Sequence, residues 1–425
     1  MHRTRQHDTG RASREELRHY DEIALVLQGG GALGAYQAGV YEGLAEAGVG
    51  LTWISGISIG ALNAAIIAGN APQDRVEALR QFWNTICQPA DLVGHASAWF
   101  PAALGFPDLA RKWAGMWAAA RALTKGQKGF FKPRSPFETL GFSHGTPNQV
   151  SFYDTEALRA TLLAHADFDR INRGDLRVSV GAVNVRTGNL TYFDNSVIRL
   201  APEHFMASGA LPPGFPAVEI DGEFYWDGGL VSNTPLTEII RECQHKNTLV
   251  LQVDLWSAQG HLPENLLDVS ERTKDIQYSS RTRAITAFMK QGQQYARMIK
   301  DLLEHIPEHV RQSNEVFRQA QRVADGSAVN VVHLIYNNKS FEGHYKDYEF
   351  SVETMSEHWH SGLDDIRRSF GNADWFEIPS HDLGFVTHDI HRHPLAANAP
   401  DHRELADTDD AARIATADSR IRVDA

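Results

Sequence analysis

Two apolar segments, each running into a glycine turn and then into a helix-like stretch, constrain this chain more than anything else in its sequence. Ile23 to Leu27 is a short run of the kind buried in a parallel sheet. It ends at Gly29-Gly30-Gly31-Ala32-Leu33-Gly34 and leads into a helical pattern over Ala35 to Ala47. Trp53-Ile54 reads as a second strand that closes on Gly56-Ile57-Ser58-Ile59-Gly60, after which Ile59 to Ala68 reads as a helix. Strand, sharp turn and helix in that order make a nucleophile elbow. The turn holds the serine oxygen proud of the sheet, and Gly56 and Gly60 tolerate the crowding on either side.

A third piece lies far along the chain. Ala217 to Ile220 and Glu223 to Trp226 flank Asp221-Gly222, a favoured two-residue hairpin turn. Asp227 therefore ends a strand, followed by Gly228 and Gly229, which let backbone approach closely. Thr234-Pro235 is expected to cap a helix reaching about Cys243, and Asn247 to Leu255 is another strand.

The glycine cluster, the G-x-S-x-G serine and the D-G-G aspartate, in that order over about residues 22 to 256, resemble the patatin-like phospholipase family. Lys346-Asp347-Tyr348-Glu349-Phe350 and Glu357-His358-Trp359 are similar to the C-terminal region of a bacterial subgroup with an uncharacterised extension, which transfers no chemistry. The resemblance implies a three-layer α/β/α fold with a mainly parallel central sheet. It also implies Ser58 as nucleophile, Asp227 as base, the amides around Gly29, Gly30 and Gly31 as oxyanion hole, and an acyl ester of a lipid as substrate. Gly56, Gly60, Gly228 and Gly229 support the motifs. Many members carry Lys or Arg where this chain has Leu33, so a charge there must come from elsewhere or be absent.

The chemistry can also be argued from the residues. A serine hydroxyl needs a base within hydrogen-bond reach, normally histidine but in principle a carboxylate. An unperturbed aspartate, with pKa about 3.9, is a weak base, so the site should desolvate Asp227 and raise its pKa. Successive amides at Gly29 to Gly31, opening a helix, supply donors worth about 3 kcal/mol each to a developing oxyanion.

Other readings of the same residues stay open. Gly29, Gly31 and Gly34 satisfy G-x-G-x-x-G, the dinucleotide-binding pattern, but Thr52-Trp53-Ile54-Ser55 stands where that pattern expects an acidic residue. An α/β-hydrolase triad would add a histidine after a late strand. Val331 to Tyr336 could be that strand and His344 that histidine, although the elbow falls earlier than that fold places it. A lipid-binding protein that kept the motif geometry without turnover is the non-enzymatic alternative.

The net charge of −12 argues against nucleic acid as a partner, yet it is unevenly spread. Arg111, Lys112, Arg121, Lys125, Lys128, Lys132 and Arg134 fall in a stretch without any acidic residue. Within and before it, Phe106, Leu109, Trp113, Met116 and Trp117 recur at three- and four-residue spacing, with Trp99 and Phe100 upstream. Residues 98–134 thus read either as a lid or membrane-contact segment or as a core helix. The hydrophobic content of 42% permits a large core, and no run is long enough to span a membrane. Two cysteines make no disulfide framework or metal cluster and point to a cytoplasmic setting, peripheral at a membrane if the basic segment docks. No cofactor is implied.

The expected organisation is a polar tail over 1–21, a catalytic core over 22–256, a helical segment with a late strand over 257–378, and a disordered tail over 379–425. Asp175 to Val185 and Leu190 to Phe193 read as adjacent strands, and Leu211 to Pro216 as a rigid loop that could wall a pocket.

Overall fold

The computed structural model describes residues 17–390, except 90–98, 100–102, 104, 136–144, 244–245, 281, 308–310, 312–314, 325–326, 340 and 381–383. The expected tails therefore lie mostly outside the described residues.

The first strand, β1 (Glu22–Leu27), is buried at every position, as its unbroken apolar run requires. It leads through a short 3₁₀ turn, Gly31–Gly34, into α1 (Ala35–Ala47). The unit then repeats: β2 (Trp53–Gly56) passes through Ser58 into α2 (Ile59–Ala68), whose ten residues are all buried. Farther along lie α3 (Pro107–Lys125), β3 (Arg177–Asn184), β4 (Leu190–Asp194), β5 (Val218–Ile220), β6 (Glu223–Asp227) and α4 (Leu236–Glu242). The remaining main elements are β7 (Thr248–Asp254), α5 (Leu266–Tyr278), α6 (Thr282–Glu304), β8 (Val329–Ile335), α7 (Val352–Phe370) and β9 (Phe385–Asp389).

The strands form one nine-stranded sheet in the order β9-β8-β7-β1-β2-β3-β6-β5, with β4 beside β3. From β9 to β3 every neighbour is parallel, whereas β4, β6 and β5 run antiparallel. Alternate residues of β1 enter different cores. Ile23, Leu25 and Leu27 pack with α1, α2 and α7, while Ala24 and Val26 pack with Leu236 and Ile239 of α4 and with Ile285 and Met289 of α6. Both faces of the sheet are covered, giving three layers.

Two expectations change. Phe385–Asp389, expected within the disordered tail, adds a parallel edge strand to β8, with Phe385 only 2% exposed. Five residues are enough to fill the open ladder of β8, whatever the composition of the chain beyond. Thr234 makes no helix cap: α4 begins at Leu236 without a side-chain cap. The Thr234 hydroxyl instead accepts from Gln28 Nε2 at 2.8 Å and faces Asp254 at 3.5 Å.

Candidate active site

Sheet register explains how residues 58 and 227, far apart in sequence, come together. Gly56, the last residue of β2, lies opposite Val180 of β3. Two positions farther along β3, Ala182 lies opposite Asp227 of β6. Since β4 occupies the other edge of β3 at the same positions, β6 fills the slot that opens where β2 ends. Ser58 turns out of the sheet as Asp227 enters it. The glycine loop follows Leu27, which is paired with Gly56, so all three motifs meet at the carboxyl ends of adjacent strands.

Ser58 has φ 55° and ψ −125°, a region that costs a non-glycine residue about 1–3 kcal/mol. The surroundings hold it there. A β-carbon on Gly56 would lie 2.5 Å from the Gly60 carbonyl, and one on Gly60 would lie 2.3 Å from the Leu27 oxygen, so the turn closes only on glycine. The Ser58 amide donates to the Ser208 carbonyl at 3.2 Å and to Ser208 Oγ at 3.0 Å, and that hydroxyl donates to the Gly181 carbonyl at 2.7 Å. Ser58 itself remains half-exposed while its neighbours are buried.

Asp227 is 2% exposed. Its Oδ1 accepts from the Gly229 amide at 2.7 Å, and the Ser58 side chain stands beside its carboxylate. Burial pushes its pKa up to about 7, and the Gly229 amide and the Ser58 side chain restrain the rise. A carboxylate of that pKa can take a proton near neutral pH.

The glycine loop is clamped. The Gly29 carbonyl accepts from Asn233 Nδ2 at 3.0 Å and Trp256 Nε1 at 2.8 Å, and Gln37 Nε2 holds the Gln28 carbonyl at 2.7 Å. Asn63 holds the Gly34 carbonyl at 3.0 Å. The three amides expected to act together are not equivalent. The Gly29 amide donates to the Asn233 carbonyl at 3.3 Å, whereas those of Gly30 and Gly31 have no partner among the described residues. An ideal β-carbon at position 29 would lie 3.0 Å from that of Ser58, so the loop adjoins the serine.

Asn233, Ser208 and Tyr278 were not foreseen. Asn233 Nδ2 also donates to the Tyr278 carbonyl at 3.0 Å, tying the glycine loop to the end of α5. Burial, and then the charges of Asp227 and Asp347, raise the Tyr278 pKa. The only sequence signal was the polar run Ser232-Asn233-Thr234 directly after the D-G-G turn. Leu33 is fully buried, yet a cation stands near the loop. Lys274 donates to both Asp347 carboxylate oxygens at 2.8 and 2.9 Å, and the Asp347 carbonyl abuts Gly31.

His344 has other partners. Its ring packs edge-on against Tyr345 and its carbonyl accepts from Lys274 at 3.0 Å. Burial, with the Lys274 and Lys112 charges, lowers its pKa. Among the described residues no histidine is a hydrogen-bond partner of Asp227.

Residues 25–240 match the family described as patatin-like phospholipase, and residues 276–382 match one described as patatin phospholipase. Lysophospholipase nte1 of Aspergillus terreus is 51% identical over 49 residues, a match spanning 12% of this chain and 3% of that protein's length. Among solved structures, VipD from Legionella pneumophila aligns over 83% of this chain and 67% of its own, at 15% identity and TM-score 0.34. The type III effector ExoU aligns over 83% and 53%, at 14% identity and TM-score 0.32. No helix among the described residues is long and apolar enough to cross a membrane.

Proposed function

This chain belongs to the patatin-like phospholipase family, whose members hydrolyse carboxylic esters of lipids, and on that premise we propose that it is a serine acyl hydrolase working through Ser58 and Asp227. The observation that carries the proposal is the buried Asp227 carboxylate, beside the Ser58 side chain and pushed up to about 7. Asp227 takes the serine proton as Ser58 Oγ attacks the ester carbonyl. The Gly30 and Gly31 amides stabilise the oxyanion, at about 3 kcal/mol per donor. Collapse of the tetrahedral intermediate releases the alcohol, protonated by Asp227. The same carboxylate then activates water to free the acid and regenerate Ser58. Gly29 serves the loop through its hydrogen bonds to Asn233 and Trp256 rather than serving the oxyanion.

Lipid ester is the substrate class we propose, with peripheral membrane contact through α3. That helix turns Ala110, Ala118, Ala119 and Ala122 inward, while Phe106, Leu109, Trp113 and Met116 are between 43% and 57% exposed. The Tyr345 hydroxyl donates to the Lys112 carbonyl at 3.0 Å, and its ring would lie 3.0 Å from a β-carbon at Gly115. Exposed aromatics beside bases suit an acyl-chain interface. Residues 22–256 serve as the catalytic core, and the following segment completes it by placing Asp347 against Gly31.

The test is turnover of p-nitrophenyl esters of increasing chain length and of lysophospholipid by wild type and Ser58→Ala. The proposal requires turnover by wild type, rising with chain length, and none by the variant.

A further inference from the structure

The cations grouped in sequence between Arg111 and Arg134 part company in space. Arg111 pairs with Glu357 and lies over the Phe341 ring, and Arg134 is near Asp154 at 3.8 Å. Arg121, Lys125, Lys128 and Lys132 instead line one cavity of about 320 Å³ where α3 ends, and no acidic side chain lines it with them. Among the described residues none of the three lysines is in an ion pair, and Arg121 donates to the neutral Pro89 carbonyl at 3.0 Å.

The residues lining the cavity include a turn with free backbone donors. The turn after α3 is closed by Gln127 N donating to the Phe131 carbonyl at 2.7 Å, while the Phe130 and Phe131 amides return to the Gln127 carbonyl at 3.0 Å. The successive amides of Lys128 and Gly129, both cavity-lining residues, are left without a partner among the described residues. Consecutive unpaired N–H groups in a turn are anion-binding elements. The turn is preformed. Gly129 has φ +68°, its carbonyl accepts from Thr161 Oγ1 at 2.6 Å, and Phe130 and Phe131 pack against Phe215. The C-terminal end of α3 contributes about half a negative charge, which four full positive charges outweigh.

We propose that this cavity binds a phosphomonoester-type anion, carried by a lipid head group or by a soluble phosphate compound. Such a group brings nearly two negative charges and several acceptor oxygens, matching several cations, the Arg121 fork and two amides better than a carboxylate does. This site is separate from the chemistry at Ser58 and does not depend on it.

The test uses the full chain, titrated calorimetrically with inorganic pyrophosphate. It also uses co-sedimentation with phosphatidylcholine vesicles containing phosphatidic acid, or phosphatidylserine at matched charge. Arg121→Gln/Lys128→Gln should weaken wild-type binding about 30-fold, and Arg121→Lys/Lys128→Arg should largely restore it. Circular dichroism and melting temperature check that each variant is folded. Preference for phosphatidic acid over phosphatidylserine, lost in the Gln variant, identifies a lipid head group. Pyrophosphate binding lost in that variant, without the vesicle preference, identifies a soluble phosphate. Equal binding by wild type and the Gln variant to both probes overturns the site. So does wild type that ignores pyrophosphate and binds the two vesicles alike.

Discussion

The carbonyl oxygen of Asp347 stands where a β-carbon at position 31 would have to go, since the two would be 2.0 Å apart. Gly31 also has φ +56°, so its conformation and its neighbour both demand glycine. The neighbour is firmly held. Lys346, 2% exposed, pairs with Asp275 at 2.6 Å and lies over the Trp256 ring, while Lys274 holds the Asp347 carboxylate. The segment after the catalytic core thereby fixes the position of a proposed oxyanion donor.

Gly31→Ala is therefore expected to reduce ester turnover by about 100-fold or more, the effect of losing one oxyanion donor. The melting temperature should also fall, because either the loop or the 346–348 turn must move. Steady-state kinetics alongside thermal unfolding check this. Near-normal turnover would remove Gly31 from the oxyanion site.

Asp227 gives the reaction its pH dependence. As the base it must be ionised, so kcat/KM should rise with pH through about 7. Stability runs the other way. The folded carboxyl holds its proton up to about pH 7, whereas the unfolded one releases it near its model value of 3.8. The native state thus binds more protons between these values. Stability from this group is full below about pH 4 and is lost as pH rises through 7, by a few kcal/mol at about 1.4 kcal/mol per pKa unit.

Asp227→Asn keeps an oxygen for the Gly229 amide and removes the buried charge. It should lower turnover by about 10³-fold while unfolding at a higher temperature than wild type at pH above about 8. Turnover close to wild type would place the base elsewhere.

His344→Ala should change kcat/KM by no more than about twofold, since the ring packs on Tyr345 and no histidine among the described residues is a partner of Asp227. Abolished turnover in a folded His344→Ala protein would restore the triad reading.

Trp113→Ala/Trp117→Ala should weaken association with phosphatidylcholine vesicles at least tenfold, about 1.4 kcal/mol, by removing two partly exposed rings from α3. Unchanged vesicle binding, measured by co-sedimentation, would exclude α3 as the contact surface.

Local order was legible because each signal is local. The Asp221-Gly222 hairpin forms with φ 51° and 81° at those residues, and β1, β2 and α2 lie where periodicity and the glycine turns place them. What could not be read was which distant group claims a given donor. Nothing near Gly29 indicates that the carbonyl of Asn233 takes its amide, or that Ser208 anchors Ser58. The spacing of Trp113 and Met116 gave a helical face but not its direction. Tyr345, far along the chain, approaches the helix at Lys112 and Gly115, and the buried residues of the helix are alanines. Phe385–Asp389 was missed because a short edge strand is specified by the open ladder of β8, not by its own composition.

The central claim is that Ser58 is an activated nucleophile, and intact-protein mass after reaction with a fluorophosphonate ester measures it directly. The account predicts a single phosphonyl adduct on the wild-type chain, forming faster as pH rises through about 7, and none on Ser58→Ala. An adduct that persists on folded Ser58→Ala, or an unmodified wild-type chain in the presence of lipid vesicles, would contradict it.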